Sequence, residues 1–157
     1  RTDSSAASDV YKRQGKYVPG YEPENKLFLG GEGMIATADG YTDFIRMLLN
    51  HGELNGYRFL NESTVKEMYS PHTQLENEYG YNGYNLWVTS ELVKEKGEGD
   101  KGLWRGGGYE GTHFWIDPKR DFVGVIMSQM FETPKSGEGR DGKIVGEIYR
   151  QIFNNEK

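Results

Sequence analysis

The chain has 157 residues, the size of one ordinary domain, and a net charge of −5 with no lysine or arginine cluster, which argues against nucleic acid or an anionic membrane surface as the main partner. No apolar run approaches the ~18 residues of a membrane-spanning helix. The absence of cysteine excludes a disulfide scaffold, a thiolate zinc site and a cysteine nucleophile, while 22 glycines, 11 tyrosines and 3 tryptophans point to an aromatic-rich globular core.

In chain order, Ser4 to Gln14 (SSAASDVYKRQ) resembles the in-frame translation of a transposase sequencing adaptor. Residues 1–14 are therefore set aside as adaptor-derived and disordered, and the domain is expected to occupy 15–157. On that reading whatever lies upstream of Gly15 is missing, any targeting signal included. Localisation stays open between periplasm, cell exterior and cytoplasm.

Gly15 to Leu29 reads as an extended, turn-rich arrival, and Gly30-Gly31-Glu32-Gly33 as a glycine turn, since no phosphate-loop pattern follows it. Thr37 is a helix N-cap with Asp39 in the first turn. Tyr41, Phe44, Ile45, Leu48 and Leu49 form one apolar stripe, and Asn50-His51-Gly52 ends the helix. Asn55-Gly56 marks a hairpin turn. Asn61 caps a short second helix with Val65, Met68 and Tyr69 inward, stopped by Pro71. The second half changes character. Tyr81–Thr89, Thr112–Ile116 and Phe122–Met127 read as strands, the last two joined by the turn Asp117–Asp121. Gly97–Gly108 and Phe131–Arg140 read as loops, and Asp141 caps a C-terminal helix with Ile144, Val145, Ile148, Tyr149, Ile152 and Phe153 on one side. The expectation is α+β: a helical region in 15–75, then a three-stranded antiparallel meander and a covering helix in 76–157.

Chemistry-bearing residues are sparse. His51, His72 and His113 lack any metal-ligand spacing, so no metal or cofactor is expected, and His113 reads as a surface or half-buried polar strand position and not as a base. Asp117, Asp121, Glu110 and Glu32 could supply paired carboxylates, but Asp117 and Asp121 flank a tight turn. The tryptophans and the tyrosines of residues 79–84 could stack sugars, although strand aromatics mostly fill cores.

Two segments, Gly30–Met68 and Trp104–Met130, resemble the C-terminal half of the serine β-lactamase-like family, the group of class C β-lactamases, penicillin-binding proteins and esterases. Thr37-Ala38-Asp39 with Leu48-Leu49-Asn50, the Asn55-Gly56 hairpin and the strand from Gly111-Thr112 to Asp117-Pro118 carry the resemblance, which extends from Gly30 to Phe153. It implies acyl transfer on a small ester, amide or peptide-like substrate. A serine in a Ser-x-x-Lys motif attacks the carbonyl, activated by its lysine and by a second motif of the type Tyr-x-Asn or Ser-x-Asn. A third motif on a strand edging the site supplies an oxyanion N–H. Aligned on Gly111-Thr112, the third motif falls on Gly106-Gly107-Gly108 and the oxyanion donor on the backbone of Tyr109, with Trp104 and Arg105 as the nearest bulky substrate-binding groups. A lysine or histidine is usual at position 106. Here neither is present. Either a gap places Trp104 at that position, or the electrostatic role is lost or moved to Arg105; both weaken a carboxylate clamp and favour an esterase-like site.

Ser63-Thr64-Val65-Lys66 does match Ser-x-x-Lys, but 8 serines and 11 lysines make one such match a matter of chance. The resemblance makes this segment an ordinary surface helix, with Gly106 only 43 residues further on. No Tyr-x-Asn or Ser-x-Asn occurs. The nucleophile and base are therefore assigned to a missing half. The rival expectation is a non-catalytic relative, a pseudoenzyme or carbohydrate-binding module on the same fold. Upstream sequence separates the two.

Overall fold

The computed structural model describes residues 36–72, 78–108, 111–128 and 140–153. The elements are α1 (Ala38–Leu49), β1 (Glu53–Leu54), β2 (Tyr57–Arg58), α2 (Glu62–Tyr69), β3 (Gly80–Asn82), β4 (Trp87–Thr89), α3 (Glu91–Glu95), β5 (Trp104–Gly107), β6 (His113–Asp117), β7 (Phe122–Ile126) and α4 (Arg140–Ile152). All lie in the compact unit Thr37–Lys157. The adaptor-like stretch, the arrival from Gly15, the Gly30–Gly33 turn, Glu110 and the loop from Phe131 to Gly139 lie outside the described residues.

Local chemistry sets the first helices. Thr37 Oγ1 accepts the Gly40 N–H at 3.1 Å, satisfying one donor that the first turn leaves orphaned. At the other end of α1 the Gly52 N–H reaches the Met47 carbonyl at 2.8 Å and the His51 N–H reaches Leu48 at 3.0 Å. These are the paired bonds of a Schellman stop. Asn55 (φ 52) and Gly56 (φ 80) then turn the β1–β2 hairpin with both central residues left-handed. Asn61 occupies the N-cap of α2 without a side-chain bond, and Ser70 is extended ahead of Pro71, so the helix stops there.

The sheet is a single meander in the order β3-β4-β5-β6-β7, every pair antiparallel. It has five strands, not three. The stretch Tyr81–Thr89 is two short strands around a turn, where the Gly83 N–H bonds the Leu86 carbonyl and Asn85 takes φ 57. The expected loop 97–108 ends in β5. Register divides the side chains between two faces. One face carries Val88, Trp104, Phe114 and Ile116 and packs with Leu86 against Ile45, Met47 and Leu48 of α1 and Val65 of α2. The other carries Trp115 and packs, with Leu103, against Val145 and Tyr149 of α4. Helices cover both faces, so Phe114 through Asp117 in β6 are all buried.

The C-terminal helix begins two residues earlier than expected, so Asp141 lies inside its first turn and not at the cap. Its apolar positions also divide. Val145 and Tyr149 are buried, whereas Ile144 and Ile152 are exposed, because the six apolar positions span more of the helix circumference than one sheet face can cover.

Candidate active site

β5 is paired on both edges only over its first half. β4 meets it at Trp87↔Arg105 and Val88↔Trp104, while β6 follows it through Gly107↔His113. The next β4 residue whose backbone could bond across to β5 would be Asn85, opposite Gly107, but Asn85 is left-handed and belongs to the turn. Among the described residues, nothing therefore pairs with the β4 side of β5 beyond Arg105. That open edge consists of glycines.

The direction of its hydrogen-bonding groups follows from the ladder. The Gly108 N–H donates to the Thr112 carbonyl at 2.9 Å and the Gly108 carbonyl accepts from the Gly111 N–H at 3.0 Å, so Gly108 faces β6. Antiparallel ladders alternate, which turns the N–H and carbonyl of Gly107 towards the open edge. Gly107 and Gly108 are exposed and Gly106 is half-buried. With no Cβ, a bound group can approach this backbone closely.

Gly106 and Gly108 have packing reasons as well. A Cβ at Gly106 would lie 2.4 Å from Cε1 of Phe114, the residue directly across the ladder, and a Cβ at Gly108 would lie 2.5 Å from Thr112 Oγ1. The Phe114 ring is fixed from behind by Tyr41 of α1 in an edge-to-face contact at 5.5 Å. Burial raises the phenol pKa of Tyr41 above its ordinary value.

The expected neighbours divide between the two faces. Trp104 points into the α1/α2 core, is 5 % exposed and stacks on Tyr69 of α2 at 4.2 Å. Arg105 pairs with Trp115 and shares the α4 face of the sheet, opposite the face of Gly106 and Phe114. Its Nε donates to Nε2 of His113 at 3.1 Å, which makes Nε2 the unprotonated nitrogen of that imidazole. His113 is half-buried, as its strand position suggested. Tyr109 lies outside the described residues. Ser63 and Lys66 are both exposed on α2. Ser63 sits six residues from the Tyr69 end that meets β5, about 9 Å along the helix.

A polar cluster that the sequence did not reveal closes the other end of the sheet. Asp117 Oδ1 accepts the Lys119 and Arg120 N–H groups, which is turn chemistry, but Oδ2 accepts Arg120 Nη1 and the Tyr149 hydroxyl, both at 2.8 Å. Arg120 also meets Asp100 at 2.7 Å. Asp117 and Asp100 are 1 % and 6 % exposed. Burial alone would push the Asp100 carboxyl up, yet the Arg120 bond, the Lys101 N–H and the charges of Arg120 and Lys94 hold it below its ordinary value. Burial, then the hydrogen bond to Asp117 and its charge, push the Tyr149 phenol far up. The cluster ties α4, the β6–β7 turn and the loop before β5 together. Its Asp117 lies four strand positions from His113, so it frames the sheet away from the glycine edge.

The family profile of Beta-lactamase matches residues 1–146. The chain belongs to the beta-lactamase family. Two curated relatives, "Protein Rv1367c" of Mycobacterium tuberculosis strain ATCC 25618 / H37Rv and "Uncharacterized protein MT1414" of strain CDC 1551 / Oshkosh, are each 28% identical to it over 113 residues. The match covers 63% of this chain and 28% of each relative, so the chain spans just over a quarter of their length. In a beta-lactamase family member, a five-stranded antiparallel sheet with a C-terminal helix is the framework on which the glycine edge of β5 is placed.

Proposed function

We propose that this chain is the C-terminal part of a serine hydrolase that transfers acyl groups from esters or amides, with an esterase-like site, and that it contributes one wall of that site but not the nucleophile. The observation that carries the reading is the open glycine edge. In a beta-lactamase family member, a strand edge whose backbone N–H groups are unpaired and unshielded suits an oxyanion hole. The Gly107 N–H faces that edge, and the family resemblance makes Tyr109 the oxyanion donor, which would act through its backbone N–H and not its phenol. Gly106, Gly107 and Gly108 would let the carbonyl approach. Trp104 shares the Gly106 face but is buried against Tyr69, and Arg105 lies on the opposite face bonded to His113, so both would act by holding β5 in place.

The longer protein carrying this chain tests the reading. It should contain a Ser-x-x-Lys at a helix start and a Tyr-x-Asn or Ser-x-Asn between that helix and Gly15, because a serine hydroxyl is a poor nucleophile without an adjacent base. In that protein Tyr109→Phe should leave kcat nearly unchanged, whereas Tyr109→Pro should cost roughly 2.7–4 kcal/mol of transition-state stabilisation. A melting curve of the proline variant separates this from strand disruption. Loss of activity on Tyr109→Phe would make the phenol the working group. Absence of either upstream motif would favour a non-catalytic relative.

A further inference from the structure

We propose that the Phe114 ring occupies the place that a residue-106 side chain would fill, and that this substitution across the ladder makes the wall beside the glycine edge neutral and apolar. The substrate group lying against that wall then carries no negative charge. The inference rests on the reading of Gly106–Gly108 as the edge of an acyl-transfer site and adds the residue that sets its selectivity. Three observations carry it. A Cβ at position 106 would lie 2.4 and 2.6 Å from Cε1 and Cζ of Phe114, so no lysine or histidine fits there while the ring stays in place. The ring is held by Tyr41 at 5.5 Å and is only 8 % exposed, so it has little freedom to swing aside. The adjacent cation, Arg105, lies on the opposite face and is engaged with His113, so it does not replace a missing charge on the Phe114 side. An aromatic ring laid over a cross-strand glycine also recurs in this sheet on the α4 face, where a Cβ at Gly124 would lie 2.1 Å from Cζ2 of Trp115. There the pair is purely structural, whereas the Phe114–Gly106 pair borders the open edge.

Two measurements test this. In the 157-residue chain, Gly106→Ala should lower the thermal midpoint by more than about 5 °C, but should cost almost nothing further in a Phe114→Ala background, because the space is then vacant. Equal losses in both backgrounds would show that the ring does not fill the site of a residue-106 side chain and would overturn the proposal. In the longer protein, kcat/KM should favour a neutral p-nitrophenyl ester over its carboxylate-bearing counterpart by at least about tenfold, and Gly106→Lys with Phe114→Ala should move that ratio at least about tenfold towards the anionic ester. A wild-type preference for the anionic ester would overturn the proposal and leave the hydrolase reading intact. Turnover of neither ester would instead reject the hydrolase reading, and the selectivity with it.

Discussion

His51 holds φ 54 at the position after the α1 C-cap, a conformation that costs a non-glycine residue roughly 1–2 kcal/mol. Its neighbour Gly52, at φ 96, has no alternative, since a Cβ there would lie 2.2 Å from the Leu60 carbonyl oxygen. His51→Gly should therefore stabilise the chain by about 0.5–1 kcal/mol in urea unfolding, after the entropy that glycine adds to the unfolded state. A loss of stability would mean that the imidazole makes a compensating contact. At the opposite end of the sheet, Arg120 stands between two buried carboxylates. Arg120→Ala should cost about 3–5 kcal/mol, because Asp100 and Asp117 are left buried without it. The pH dependence gives a second readout. Asp100 is more acidic folded than unfolded, so its contribution is complete above the unfolded value of ~3.9 and is lost as pH falls through the folded value. Without Arg120 the burial that raises this pKa is opposed by much less, and the fall in urea midpoint between pH 5 and 3 should flatten. An unchanged slope would place the acid sensitivity elsewhere.

α4 is held by backbone contact as much as by its apolar side chains. A Cβ at Gly146 would lie 1.7 Å from the Gly97 carbonyl oxygen, so the helix touches the loop before β5 backbone to backbone. Gly→Ala inside a helix ordinarily gains up to ~1 kcal/mol. Here Gly146→Ala should instead lose roughly 2 kcal/mol net, because neither helix nor loop can retreat without opening the Leu103–Trp115–Val145–Tyr149 cluster. A gain on urea unfolding would show that α4 sits further out. The same contrast explains what the sequence made legible. α1, its cap and stop, the Asn55-Gly56 hairpin and α2 were readable because each is set by residues within one or two turns. β5 was not, since Gly106 and Gly107 disfavour strands and are kept in one by Phe114 across the ladder. The turn inside Tyr81–Thr89 did leave a signal, Asn82-Gly83 with Asn85, which the aromatic run concealed. Of the candidate site, the glycines were visible as a motif. Their open edge was not, because it depends on where β4 turns away. The five-residue α3 left no periodicity to read, and the Asp100–Arg120–Asp117–Tyr149 cluster joins residues up to 49 positions apart.

For the molecule as a whole, the proposed reading gives this chain an oxyanion donor but no nucleophile, and such a donor alone has nothing to stabilise. The 157-residue chain should therefore leave a chromogenic ester and a β-lactam reporter at background, and Ser63→Ala should change nothing. Turnover abolished by that substitution would move the nucleophile onto α2. The chain's solution behaviour follows from the far side of the sheet. β7 is paired with β6 alone among the described residues, and its outer edge carries N–H and carbonyl groups without strand partners there. Every residue from Phe122 to Ile126 is half-buried, Met127 is 44 % exposed, and α4 exposes Ile144 and Ile152. An unpaired edge with apolar flanks templates pairing with another chain. The isolated chain should thus self-associate as concentration rises, and Met127→Lys, which places a charge at the end of that edge, should delay the rise in light scattering without lowering the melting midpoint. A monomer at every concentration, with a sharp two-state transition above ordinary mesophile temperatures, would mean that the edge is already covered.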